Sequence, residues 1–172
     1  MAPPYSGPSA DDISDALTAV ITHGLRPYHV AEHGGVLLKL RLVEQRLHLE
    51  HAKNGDERDA AYAEALTDVL REAVEQQMGR HAKYRRLLEH LLPLKPELLD
   101  ESLADRRGSG GRAMTEGKKV VLAGTVRTYH QPKALAILAD VLVRMEAEDR
   151  GEEASNEDRI VSPTKPASQN QA

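Results

Sequence analysis

Apolar residues recur at helical spacing through most of the chain, with polar residues filling the intervening positions. Ile13, Leu17, Val20 and Ile21 form one such face. Ser9-Ala-Asp-Asp12 ahead of it offers a capping hydroxyl and carboxylates near the positive helix end, so a helix starts there. Gly24 and Pro27 close it. A second stripe, Val36, Leu40, Val43 and Leu47, predicts a helix from about Tyr28 to Lys53, kinked at Gly34-Gly35 and ended by Asn54-Gly55.

The third stripe is the longest. Leu66, Val69, Leu70, Ala73, Val74, Met78, Leu88 and Leu91 hold the period from about Glu57 to Leu92, with Gly79 as the weak point. At 1.5 Å per residue that is a rod of roughly 50 Å, which needs a partner surface along its length. Leu66, Leu70, Val74, Leu88 and Leu91 are therefore the expected association face, toward the second helix or another copy of the chain in a homodimer. Pro93 and Pro96 end the pattern, and a short helix is expected over Glu97 to Ala104. Arg106-Arg-Gly-Ser-Gly-Gly-Arg reads as a flexible joint. A last helix starts with Pro132 at its first position and carries Leu135, Leu138, Val141, Leu142 and Met145. The expectation is an all-α fold: a helical bundle or long helical hairpin followed by a small basic helical module, with disordered termini.

Charge changes the picture most. The chain is −4 overall. The stretch from Arg106 to Lys133 nevertheless carries Arg106, Arg107, Arg112, Lys118, Lys119, Arg127 and Lys133 against the single acid Glu116. So dense a positive segment attracts phosphate, a membrane surface or an acidic partner, and does not by itself say which. An acidic run follows the last helix, with Glu146, Glu148 and Asp149 at its head.

Composition narrows the chemistry. With 172 residues, no Phe, no Trp and 5 Tyr, burial falls to aliphatic side chains, which suits interdigitating helices better than an aromatic-lined pocket. The absence of Cys excludes disulfides, thiolate metal sites and cysteine nucleophiles, and fits a reducing compartment. Met-Ala-Pro-Pro-Tyr at the start has neither a basic region nor an apolar run, and no apolar stretch is long enough to span a bilayer. A cytoplasmic location without membrane contact is expected.

Leu122-Ala-Gly-Thr-Val-Arg-Thr-Tyr-His resembles the start of a recognition helix in helix-turn-helix proteins. The wider stretch Leu88 to Met145 is similar to regulatory proteins of high-GC bacteria, in which an Arg-rich helix leads to Gly-Thr-Val-Arg and a Pro-x-x-Leu helix. The Arg-rich, Ala-rich composition fits such a genome. The resemblance implies DNA contacts from Arg106, Arg107, Arg112, Lys118, Lys119, Thr125, Arg127, Thr128, Tyr129 and Lys133, with Val126 packing inward. The first helix of that motif falls on about Arg107 to Lys119, where Gly108, Gly110, Gly111 and Gly117 stand. Each Gly costs about 1 kcal/mol inside a helix, so this helix is expected to be poorly formed.

Other motifs carry less. His29-Val-Ala-Glu-His33 matches the His-x-x-Glu-His zinc pattern, but the adjacent Gly34-Gly35 should fray the helix. The remaining histidines lack the repeated Glu-x-x-His of di-metal bundles, and Arg85 stands four residues after His81 where an acid is wanted. Gly111 to Lys119 misses the phosphate-loop spacing, and no Gly-x-Ser-x-Gly occurs. No catalytic residue, metal ligand or cofactor is expected.

The resulting division is 1–8 disordered, 9–92 a helical scaffold and association region, 93–150 a basic helix-turn-helix-like module, and 151–172 a disordered acidic and polar tail. The functional expectation is a non-enzymatic bacterial regulator contacting DNA through 106–133. The alternatives are an adaptor docking an acidic protein and, more remotely, a His-rich metal-binding bundle.

Overall fold

The computed structural model describes residues 6–160. The fold is all-α, and no strand is present among the described residues. Helix α1 spans Ala10–His23 and begins on a capping box: Ser9 Oγ accepts from the Asp12 N–H at 3.2 Å, and the Asp12 carboxylate accepts from the Ser9 N–H at 3.3 Å. Its buried stripe is Ile13, Leu17, Val20 and Ile21, as the spacing requires.

The second stretch is shorter and more broken than its stripe suggests. Helix α2 covers Pro27–His33, a 3-10 turn covers Gly35–Lys39, and α3 covers Arg41–Gln45. The break falls at Gly35, whose φ of 49° takes the chain out of the helix. Helix α4, Gly55–Gln77, starts where the Asn54 side chain accepts from the Glu57 N–H at 2.9 Å.

The expected rod from Glu57 to Leu92 is cut in two. It stops at Gln77, passes through the 3-10 turn Gly79–His81 and resumes as α5, Ala82–Leu91. A straight rod would carry Leu87, Leu88 and Leu91 away from the core, whereas all three are fully buried. Each is worth about 1.5–3 kcal/mol on burial. That outweighs the few backbone hydrogen bonds lost at a Gly, where helix is already about 1 kcal/mol unfavourable.

Helix α6, Leu103–Met114, replaces the expected flexible joint, and the short helix expected over Glu97 to Ala104 is a 3-10 turn, Pro96–Leu98. The final segment enters as α7, Ala123–Thr125, passes through a π turn, Val126–His130, and continues as α8, Gln131–Ile160. Pro132 is thus inside a longer helix and not its first residue. It has no N–H to donate, and its ring would crowd the Thr128 carbonyl in a regular α-helix. The wider π turn takes up that conflict.

One apolar cluster runs through the molecule, from Ile13 of α1 to Met145 of α8. Helix α1 packs on α8, α2 on α4, and α5 on both α6 and α8. No packing boundary falls near residue 92, so scaffold and basic module share a core. Leu66, Leu70, Val74, Leu88 and Leu91 are all fully buried within this chain. The association face is consumed internally, partly against α2, and offers no surface to a second copy.

The acidic run needs the same correction. Glu146 is fully buried on α8, and its carboxylate accepts from the N–H groups of Arg41 (2.9 Å) and Leu42 (3.2 Å) at the start of α3. Asp149 accepts from Gln45 Nε2 at 3.0 Å and pairs with Arg41 at 3.3 Å. These acids fasten α8 to α3. The helix runs on to Ile160, and the 161–172 part of the expected tail lies outside the described residues, as do residues 1–5 of the expected disordered start.

Candidate nucleic-acid interface

Three elements build the basic surface: α5, α6 and the segment entering α8 through α7. Ser102 caps α6, accepting from the Asp105 N–H at 3.2 Å. The helix then runs through Gly108, Gly110 and Gly111 because two of these glycines make room. A Cβ on Gly110 would lie 2.9 Å from Leu87 Cδ1 and 3.2 Å from His90 Cβ, both on α5. A Cβ on Gly111 would lie 2.8 Å from the Val121 carbonyl and 3.1 Å from Val126 Cγ2. The propensity cost of about 1 kcal/mol per Gly is offset by close approach of α5 on one side and of Val121 and Val126, which flank α7, on the other. The joint is tightly packed.

Eight residues, Thr115–Leu122, connect α6 to α7. Glu116 and Gly117, at φ 54° and 74°, turn the chain, and the Gly117 N–H donates back to the Arg112 carbonyl at 3.0 Å. The Thr115 hydroxyl lies 2.8 Å from the Lys119 carbonyl. Glu116 bridges to Arg86 of α5 at 2.6 Å and to Lys118 at 3.3 Å, and these partners hold its carboxyl below the usual carboxylate range. The one acid of the basic segment thus pins the turn to α5.

The expected contact residues now separate. Arg106 leaves the list: it is 4% exposed, and its guanidinium donates to the carbonyls of Leu91, Ile21 (3.0 Å) and Glu101 (3.3 Å). It is a buried clamp on the last turns of α1 and α5, where carbonyls lack helical partners. Arg107 is half-buried and donates to the Gln131 side-chain oxygen at 2.9 Å, joining α6 to α8. Burial and nearby Arg127 lower its pKa. Arg112, Lys118, Lys119, Thr125, Arg127, Thr128, Tyr129 and Lys133 are exposed.

Those on the entering helix share its outer side, while Val126, Gln131, Ala134 and Leu135 face the core. Leu122 precedes α7 in extended backbone and has no polar side chain to cap it, which leaves the first N–H groups to outside acceptors. Val120, Leu122 and Tyr129 are exposed by 86%, 68% and 65%, unusually high for apolar and aromatic side chains in one neighbourhood.

Charge pattern along 106–133 missed the contribution of α5. Burial lowers the pKa of His130, and after it the charges of exposed Lys83 on α5 and of Lys133. Tyr84 packs 6.3 Å from the His130 ring. The hint in the sequence was the Lys83–Arg86 charge cluster, which a reading along one segment separates from Lys133 by fifty residues. No known protein family matches the chain, nor does any curated protein or solved structure. No described helix is long and apolar enough to cross a membrane.

Proposed function

We propose that the protein is a non-enzymatic regulator that contacts DNA through the outer side of the α7–α8 entry, with α6 as its positioning helix. The observation that carries this reading is the joint exposure of Arg127, Thr128, Tyr129 and Lys133 along the helix that starts uncapped at Ala123, with exposed Arg112, Lys118 and Lys119 on the helix and turn that precede it. Cations and open N–H groups serve the phosphate backbone, and residues in the first turns of such a helix meet base edges. The turn is longer than the three or four residues of compact motifs. Contacts of Gly111 with Val121 and Val126 therefore fix the helix pair, not turn length.

The test is anisotropy titration of bulk duplex DNA at two salt concentrations. Four phosphate contacts among the exposed cations give a log–log salt slope of roughly −3 to −4. Lys118→Ala with Lys119→Ala lowers affinity for all sequences, whereas Arg127→Ala costs about 1–3 kcal/mol more on a preferred site. Failure to bind duplex DNA at low salt refutes the reading.

Val120 and Leu122 support a second reading, an adaptor that docks an acidic, partly apolar protein segment on the same surface. Substituting both by Ser would abolish such docking and leave phosphate binding intact.

A further inference from the structure

Three histidines that the sequence distributes over two helices meet at one point. His23 is the last residue of α1, and His29 and His33 lie one helical turn apart on α2. Gly24, at φ 93°, starts the reversal and Pro27 opens α2, so α2 folds back beside the end of α1. One ring nitrogen from each histidine lies within 4.8 Å of the other two. The His23 and His33 rings stack at 3.6 Å with 12° between their planes, and His29 lies 6.1 and 6.4 Å from them. His29 Nδ1 is buried without a hydrogen-bond partner, an unusual state for a polar atom.

We propose that His23, His29 and His33 form a binding site for a divalent late first-row transition metal, with Zn²⁺ as its reference ion. This revises the expectation that no residue of the chain ligates metal, and it is independent of the DNA reading. Three imidazoles are the ligand type that zinc, copper and nickel favour over magnesium or calcium. Zinc–nitrogen bonds of about 2.0–2.1 Å place tetrahedral ligand atoms about 3.4 Å apart. The ligand atoms, all within 4.8 Å of one another, need to close by about 1.4 Å at most to reach that spacing, a shift on the scale of side-chain rotation.

Both signs of charge surround the site. His23 and His33 end their helices, where the helix dipole presents partial negative charge, and at the α1 end the Ile21 carbonyl is already taken by the Arg106 guanidinium. Glu32 Oε2 lies 3.5 Å from His33 Nε2, which sets an anionic group beside one of the imidazoles. His23 is exposed, and it borders with His29 a cavity of about 300 Å³ that Glu101, Arg106 and the paired Arg26 and Asp100 also line. An ion on three protein nitrogens keeps its remaining position for water on that open side. Bound there, it cross-links α1 to α2.

The test uses the tag-free full-length chain titrated with Co²⁺, read by visible ligand-field absorption, with Zn²⁺ as competitor. The expected result is one saturable equivalent, displaced by Zn²⁺, with Zn²⁺ raising the melting temperature. His29→Gln and His33→Gln each weaken binding by more than about 100-fold, beyond the 10–100-fold typical of losing an orienting partner. His23→Gln, at an exposed helix end, does the same without disturbing the core and so separates ligand loss from misfolding. His51→Gln and His81→Gln leave affinity unchanged. Absence of saturable binding, retention of binding in His23→Gln, or equal loss in the His51 and His81 variants overturns the site.

Discussion

Replacing Arg106 by Met tests whether this cation serves the fold or the surface. Met roughly conserves the apolar stem and removes every donor. The guanidinium at present joins three carbonyls from separate parts of the chain: Ile21 on α1, Leu91 on α5 and Glu101 before α6. Hydrogen bonds from a charged donor contribute about 1.5–3 kcal/mol each before the cost of burying the charge is counted. Desolvation, the first cause of the lowered Arg106 pKa, offsets part of that sum. Leaving three carbonyls without their donor costs about 1–3 kcal/mol each, and removing the buried charge returns part of it, for a net of about 3–5 kcal/mol. For a domain of this size each 1 kcal/mol shifts the melting temperature by about 2–4 °C, which predicts a fall of roughly 6–20 °C. Calorimetry measures this directly, and Arg106→Lys should recover little because an ammonium lacks the planar fork that reaches three acceptors. For the fraction that remains folded, the salt slope of DNA binding should match wild type. A melting temperature within 2 °C of wild type, or a reduced salt slope, would refute the clamp and return Arg106 to the surface.

The glycines of α6 make opposite predictions. Gly108→Ala meets no atom within 4 Å and should gain about 0.5–1 kcal/mol in urea denaturation, whereas Gly111→Ala drives a methyl into the Val121 carbonyl and should lose about 1–2 kcal/mol. Shifts of the same sign for both would contradict the packing assigned to Gly111. Glu146→Ala strips the acceptor from two N–H groups of α3 and should cost about 2–4 kcal/mol, seen as a lower urea midpoint, with faster amide exchange at Arg41 and Leu42. His90 is held below its ordinary 6.5 by burial and then Lys95, despite opposing Glu89 and Glu101, so the unfolded chain binds its proton first as pH falls. Its contribution to stability is present above about pH 6.5 and is lost on acidification through its lowered folded value. Melting temperature should fall between about pH 7.5 and 5.5, less steeply in His90→Gln; an identical pH dependence in that variant would remove His90 as a cause.

What the sequence made legible was whatever it encodes within one helical turn. Helix α1 has its capping box, its stripe and its terminating Gly all in view, and the structure reproduces them. The bend at Gly79 had only a weak local mark, because its cause is remote: Leu87, Leu88 and Leu91 must reach a core built largely from α1, α4 and α8. The Gly-rich start of the basic segment misled for a related reason. Propensity counts the cost of a missing Cβ, but the gain lies in how closely Leu87 and Val121 approach.

Charge misled at Arg106 and Glu146, although a usable signal was present for both. Leu103, Arg106, Gly110 and Met114 follow the 3–4–4 spacing of one helix face, and Arg106, Gly110 and Met114 are buried. Glu146 likewise falls four residues after Leu142 on the buried side of α8. A charged residue in register with an apolar stripe calls for a backbone partner, and each found carbonyls or N–H groups at helix ends. Arg127 and Lys133 stand out of register with Val126, Ala134 and Leu135, and both are exposed. Register with the stripe, more than charge density, separates the cations that hold the molecule together from those free to meet a ligand.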